Sequence, residues 1–145
     1  MIRPLAPGDR VAWDGLWRDY LAFYETELPR TVYDTTFARL TSAEVPEMGA
    51  FVAEIGGIPQ GLVHYIFHRH CWRPENVVYL QDLYVAPAAR GHGAGRALIE
   101  AVYGVADAAG SASVYWMTQE FNDTARRLYD RVAQVTPFIK YQRPL

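Results

Sequence analysis

One cysteine, Cys71, stands alone in the chain, so no disulfide can close within it and a reducing compartment is the expected setting. No apolar run approaches the roughly 20 residues that cross a bilayer, and Met1-Ile2-Arg3-Pro4 carries no apolar leader segment. A cytoplasmic location without a membrane partner is therefore expected. Neither sign of charge dominates: 14 Lys and Arg face 16 Asp and Glu, for a formal charge of -2. That balance lacks the basic footprint of a nucleic-acid or anionic-membrane binder and suits a cationic or small-molecule partner better. Repeats, low-complexity tracts and linkers are missing too, so nothing divides the chain.

What remains is a globular composition, with 50% hydrophobic, 14% aromatic and 21% charged residues over 145 positions, and one domain spanning residues 1–145 is expected. Ile2 to Leu5 reads as a short first strand, followed by turn chemistry at Pro7-Gly8-Asp9. Trp13, Leu16, Trp17, Tyr20, Phe23 and Tyr24 recur at helical spacing and predict an amphipathic helix capped by Asp9 and stopped by Pro29. A weaker helix is predicted from Thr35 to Leu40 behind Asp34. Gly49 to Ile55 and Leu62 to His70 are β-rich and joined through Gly56-Gly57, a hairpin signal. Arg73-Pro74-Glu75-Asn76 reads as a turn, Val77 to Val85 as a central strand, and Gly95 to Ala109 as a helix with Leu98, Val102, Val105 and Ala109 on one face and Gly110 as its stop. Ser113 to Thr118 predicts another strand, Asn122 caps a last helix carrying Ala125, Leu128, Tyr129 and Val132, and Phe138 to Tyr141 predicts a final strand. The order β-α-α-β-β-β-α-β-α-β is that of an α/β fold with a mixed central sheet, in which the strand-helix-strand crossover requires a parallel pair.

The chemistry concentrates between the central strand and the helix after it, in Arg90-Gly91-His92-Gly93-Ala94-Gly95-Arg96. Alternating glycines let backbone N–H groups approach a ligand closely, and the following helix adds its positive dipole end, so the loop suits phosphate. Arg90 and Arg96 favour a pyrophosphate or a phosphorylated ribose over a neutral ligand. A Walker loop would need Gly-Lys followed by Ser or Thr, and a dinucleotide fingerprint would need glycine where Arg96 stands. Neither fits. A tight strand-to-helix turn with no ligand, and a different nucleotide-phosphate module, are the alternatives.

Arg90-x-x-Gly93-x-Gly95, preceded by Leu83-Tyr84-Val85 and followed by an amphipathic helix, resembles the acetyl-CoA pyrophosphate loop of the GNAT superfamily. Asn122 and Ala125-Arg126-Arg127-Leu128-Tyr129 are similar to that family's next motif, so the resemblance covers at least Val77 to Tyr141. Tyr79 to Val85 and Phe23-Tyr24-Glu25 look like stretches of spermidine/spermine acetyltransferases, whereas Val114-Tyr115-Trp116 and Ile139-Lys140-Tyr141 look more like a small fungal branch linked to histone, polyamine and D-amino-acid acetylation. The resemblance implies an N-acetyltransferase that moves acetyl from acetyl-CoA directly to an amine in a ternary complex, without a metal, as a homodimer or larger. It implies that Leu83, Tyr84, Val85, the loop and Asn122 serve the cofactor. It also implies a strand that splays at a bulge to admit the thioester, with a backbone N–H near Val85 facing the thioester carbonyl, and a general-acid role for Tyr129.

An alkyl amine, with a pKa near 10, needs a base at neutral pH. The polyamine enzymes resembled here carry Glu-Asp where this chain has Gln81-Asp82, and Gln81 takes no proton. Asp82 is the nearest replacement, provided a bulge turns it toward the cleft; an ordinary structural carboxylate is the alternative. The gap at Gln81 also leaves open a non-catalytic acyl-CoA-binding protein, a sensor or subunit. Tyr24, Glu25 and Gln81 are the candidate acceptor contacts, with first-helix aromatics as core residues the competing reading. His64, His68 and His70 share a strand face by parity, with Cys71 next, yet that pattern is a packed or solvated strand more often than a metal site. Trp72 is read either as the wall of an acceptor pocket or as a packed aromatic. The acceptor itself, whether polyamine, peptide or histone amine, amino acid or drug-like amine, is not encoded legibly.

Overall fold

The computed structural model describes residues 1–145. Its single sheet runs β1 (Ile2–Pro4), β2 (Met48–Ile55), β3 (Ile58–His70), β4 (Arg73–Val85) and β5 (Val114–Tyr115) in spatial order β1-β2-β3-β4-β5. The first three pairings are antiparallel and β4–β5 is parallel, as the crossover through α3 (Ala94–Ala108) requires. The other helices are α1 (Arg10–Phe23), α2 (Arg30–Thr41) and α4 (Asp123–Val132).

Strand alternation divides the core into two. On one face Val52 and Leu62 receive Trp13, Leu16, Trp17 and Leu21 of α1 and Tyr33, Phe37 and Leu40 of α2. On the other, their neighbours Ala53 and Val63, with Val78 and Leu80, receive Leu98, Ile99, Val102 and Ala106 of α3. Each large aliphatic side chain so buried contributes about 1.5–3 kcal/mol to the sheet–helix contact.

Several expectations are corrected. Asp9 stands ahead of α1, but its carboxylate accepts from the Ala6 N–H and pairs with Arg3 instead of capping the helix. The helix ends at Phe23, and Pro29, expected as a stop, is the N-cap residue of α2, which starts at Arg30 and leaves Asp34 inside. Proline has no N–H to lose there. The turn expected at Arg73–Asn76 lies one step earlier, at Cys71-Trp72, because the long β3–β4 ladder extends to a His70–Arg73 pair. On α3 it is Ile99 and Ala106, with Leu98 and Val102, that are buried. The strand expected over Ser113–Thr118 shrinks to two residues, and Phe138–Tyr141 forms no strand. A strand exists only where a neighbour completes its ladder, and the outer edge offered by β5 is two residues long, with Pro137 removing one more donor. Phe138, Ile139 and Tyr141 are exposed in the tail.

Candidate functional site

The site begins with a fault in the sheet. His64 pairs with Asp82 and Tyr65 with Leu80, so Gln81 is an extra residue on β4, a β-bulge. Its effect follows from pleat parity. Val78 and Leu80 face α3, and regular alternation would send Asp82 to the same side. The inserted residue reverses the count, so Asp82 lies beside His64 on the α1/α2 face and Tyr84 follows it there, while Leu83 and Val85 keep to α3. The parallel ladder also stops short of this point, after Tyr79–Tyr115, and β4 parts from the chain beyond β5. Ala86 N–H donates to Gln60 O at 2.8 Å across the β3 side. Because backbone groups alternate along a strand, the Val85 N–H faces the parted edge, as does the Val85 carbonyl that accepts from Arg90 Nε at 2.9 Å.

Asp82 is anchored from behind. Its Oδ2 lies 2.8 Å from His64 Nδ1, and Trp13 Nε1–H donates to His64 Nε2 at 2.9 Å. His64 is buried and the Asp82 side chain keeps 14% exposure. Ahead of Asp82 opens a cleft of about 340 Å³ lined by Tyr20 and Tyr24 of α1, Tyr79, Gln81 and Asp82 of β4, Met117, Thr118 and Gln119 after β5, and Lys140 of the tail. Lys140 is the chain's one lysine. A second recess of about 320 Å³ shares Gln81 and Asp82 and is walled chiefly by apolar residues, among them Leu21, Leu28, Val32, Leu40, Met48 and Ile66. Trp17 also lines it, with its buried Nε1–H unpartnered. Burial, reinforced by the charge of Asp82, pushes the Tyr20 hydroxyl far above the usual phenol range, and burial raises Tyr24 as well.

The glycine loop leaves its backbone uncovered. Gly91 and Gly93 hold φ of 84° and 82°, in the left-handed region that side chains resist, and a Cβ built on either would meet no atom within 4 Å. The space beside the backbone is therefore open to a ligand. α3 starts at Ala94, and the N–H groups of its first turn have no helical carbonyl to bond. Arg90 lies over the Tyr84 ring at 5.6 Å, His92 Nδ1 sits 3.1 Å from the Arg90 carbonyl, and Arg96 pairs with Glu100 at 2.7 Å. Gly95 serves packing instead: a Cβ there would come within 3.1 Å of Leu128 on α4.

Asn122 caps α4, its Oδ1 accepting from Ala125 N–H at 3.3 Å, and Tyr129 packs edge-on against Trp116 at 5.4 Å. Burial first, and Tyr24 second, push the Tyr129 hydroxyl up to about 12, so it stays a proton donor through neutral pH. Tyr24, Gln81 and Asp82 are brought together in the cleft; Glu25 is not among its lining residues. Glu25 is exposed at φ 53° in the left-handed turn that closes α1, where Thr26 N–H bonds Leu21 O. The three histidines diverge. His64 is buried, His68 bonds the Tyr115 hydroxyl at 2.7 Å, His70 accepts from Trp72 N–H, and no cluster of three metal-ligating side chains occurs. Trp72 is exposed in the β3–β4 turn and lines neither recess. Sequence reading missed Trp13 and His64 as partners of Asp82, and Tyr20, Tyr79 and Lys140 as cleft residues. The shared parity of Leu62 and His64 was the one available signal.

Residues 12–133 match the family model described as "Acetyltransferase (GNAT) family". The chain is 41% identical over 144 residues to the D-amino-acid N-acetyltransferase HPA3 of Saccharomyces cerevisiae, covering 99% of this chain and 89% of that protein. Among solved structures it is similar to AAC(6')-Iy in complex with a CoA-containing bisubstrate analog, at TM-score 0.86 and 18% identity over 100% of this chain and 97% of that one. It is also similar to the ribosomal-protein-alanine N-acetyltransferase of Brucella melitensis biovar Abortus 2308, at TM-score 0.80 and 19% identity over 100% and 99%.

Proposed function

The chain belongs to the GNAT acetyltransferase family and is an acetyl-CoA-dependent N-acetyltransferase, and on that premise we propose that its acceptor is an amino acid whose amine is deprotonated by Asp82. The observation that carries this reading is the pairing of charges in the cleft, which sets the carboxylate of Asp82 and the ammonium of Lys140 around one space. A zwitterion of matching span satisfies both, its ammonium at Asp82 and its carboxylate at Lys140, while the apolar recess that shares Asp82 takes an aliphatic or aromatic side chain. The 41% identity to a D-amino-acid acetyltransferase supports the same class.

Acetyl-CoA supplies the acetyl group as a thioester. The chain's own residues do the rest. Gly91, Gly93 and the first turn of α3, with Arg90 and Arg96, hold phosphate through N–H groups, helix dipole and cationic charge. Leu83, Tyr84 and Val85 line the parted edge, where the Val85 N–H offers a fixed donor to the oxygen on which negative charge grows; one such donor contributes about 3 kcal/mol. Asp82 removes the proton that makes the amine inert, a cost of about 4 kcal/mol at neutral pH. Tyr129 donates to the departing thiolate, whose conjugate acid has a pKa of about 8.5 if it behaves as an ordinary thiol. Gln81 orients the acceptor by hydrogen bonding. Work as a homodimer or larger assembly in the cytoplasm completes the reading, supported by the exposed Val135, Phe138, Ile139 and Tyr141 of the tail.

Steady-state acetylation of paired acceptors tests it: D- and L-amino acids against the amines left by their decarboxylation. The amino acids should have the higher kcat/KM, Lys140→Met should erase that preference, and Asp82→Asn and Tyr129→Phe should each lower kcat by roughly 10²-fold. Equal kcat/KM for an amino acid and its decarboxylated partner would remove the amino-acid reading. Wild-type turnover in Asp82→Asn would remove the base.

A further inference from the structure

The bonds behind Asp82 fix more than a position. An indole nitrogen carries one proton and can only donate, so the Trp13–His64 contact of 2.9 Å requires a bare lone pair on His64 Nε2. The imidazole's one proton then sits on Nδ1, where it is donated to Asp82 Oδ2 at 2.8 Å. A second proton on Nε2 would set two N–H groups head to head around a ring that is 3% exposed, against an indole that is 0% exposed. Trp17 closes the other side, with its ring edge-on to His64 at 6.0 Å. The remaining titratable groups around Asp82, namely Tyr20 and Tyr24 from α1, Tyr79 on β4 and Lys140 from the tail, line the cleft ahead of it.

From this geometry we infer that Trp13 selects the neutral Nδ1–H tautomer of His64 and that His64 is a positioning residue, which holds Asp82 aimed but never carries the proton Asp82 takes. The hydrogen-bond chain runs one way, from indole to imidazole to carboxylate, and it is closed at its far end. Nδ1 already carries its proton and cannot take a second from Asp82, and the ring's one lone pair, at Nε2, is occupied by the Trp13 N–H. A proton collected by Asp82 therefore departs through the cleft. In a serine-hydrolase triad the imidazole is the group that gains and loses the proton; here it is the group kept from doing so. This inference rests on the reading of Asp82 as the base only for its effect on turnover; the tautomer stands apart from it.

The test has a spectroscopic arm and a kinetic arm. Long-range ¹H–¹⁵N correlation on the full chain labelled at histidine nitrogen should show His64 with a protonated Nδ1 and a bare Nε2 throughout the neutral range, and Trp13→Phe should release it to a mixture of tautomers. An Nε2–H ring or an imidazolium at neutral pH would overturn the inference. Kinetically, His64→Leu should lower kcat roughly 10- to 100-fold, the worth of one hydrogen bond to a charged group, with KM for acetyl-CoA within about twofold. His64→Asn, which keeps an N–H near the place of Nδ1, should recover most of that loss. In an Asp82→Asn background the His64→Leu change should cost little more. An undiminished loss there would mean that His64 acts on the fold and not on Asp82. If Asp82→Asn alone turns over like wild type, the base assignment fails, whereas the spectrum still decides the tautomer.

Discussion

The two faces of the sheet are built from the same strands and do opposite work. Against α3, every buried residue of the cluster is aliphatic, from Ala53 and Val63 to Ile99 and Ala106. None of those fully buried side chains has a polar atom to satisfy. Against α1 and α2, the interior sets four aromatic rings among its aliphatic residues and carries a histidine, and Trp13 and Trp17 stack at 4.9 Å while Trp17 keeps a buried N–H unpartnered. Polar atoms in an apolar interior cost about 1–3 kcal/mol each when left unsatisfied, so this face gives up stability that the other does not. The difference divides the labour: an aliphatic interior to hold the sheet, and one with polar atoms to hold Asp82.

The largest effect should come from removing the bulge in β4. Deleting Gln81 joins Leu80 to Asp82, which leaves Asp82 opposite Leu80 and beside His64 but removes the bulge and the bend it gives β4 at the cleft, so turnover should fall by roughly 10²-fold. Replacing Gln81 by Ala keeps the bulge and should cost far less; comparable kcat values for the two variants would mean that the bulge does not shape the cleft. Next in size is the scaffold face. Ile99→Ala, at a fully buried position on α3, should destabilise the protein by about 2–5 kcal/mol by urea denaturation, with kcat per folded molecule unchanged. A matching fall in kcat would mean that the faces are not separable. The smallest effect concerns acid. The Arg3 guanidinium, by its hydrogen bond, holds the Asp9 carboxyl below its ordinary value. A carboxyl lowered in the folded state stabilises above its unfolded pKa, about 3.9, and loses that contribution as pH falls through the lower folded value. The urea midpoint should therefore decline on acidification into that window, with a smaller decline in Asp9→Asn. An unaltered slope would place the acid sensitivity on the α1/α2 face instead.

These contrasts explain what could be read from residues alone. The α3 face was legible because it obeys simple periods: Leu98 and Val102 repeat at helical spacing, and the hairpin through Gly56-Gly57 sets β2 against β3. The glycine loop was legible because its neighbours in sequence are its neighbours in space. The cleft was legible only in part. Asp82 stands out by its chemistry beside Gln81, but its facing depends on a bulge that no local signal marks, and Trp13 and His64 stand 51 residues apart. Trp13 looked like any other core aromatic. Phe138–Tyr141 misled for the converse reason, since its composition is that of a strand while the edge it needs is two residues long.

The placement of Lys140 has a practical side. Apart from the N-terminal ammonium, which is bonded to Glu54 O at 2.8 Å, Lys140 carries the only primary amine in the chain, because every other cationic side chain of fixed charge is an arginine. Amine-directed labelling chemistry passes over guanidinium groups. A reporter group attached that way has two places to land, the N-terminus and Lys140, and at Lys140 its signal follows what enters the cleft without any residue having been engineered.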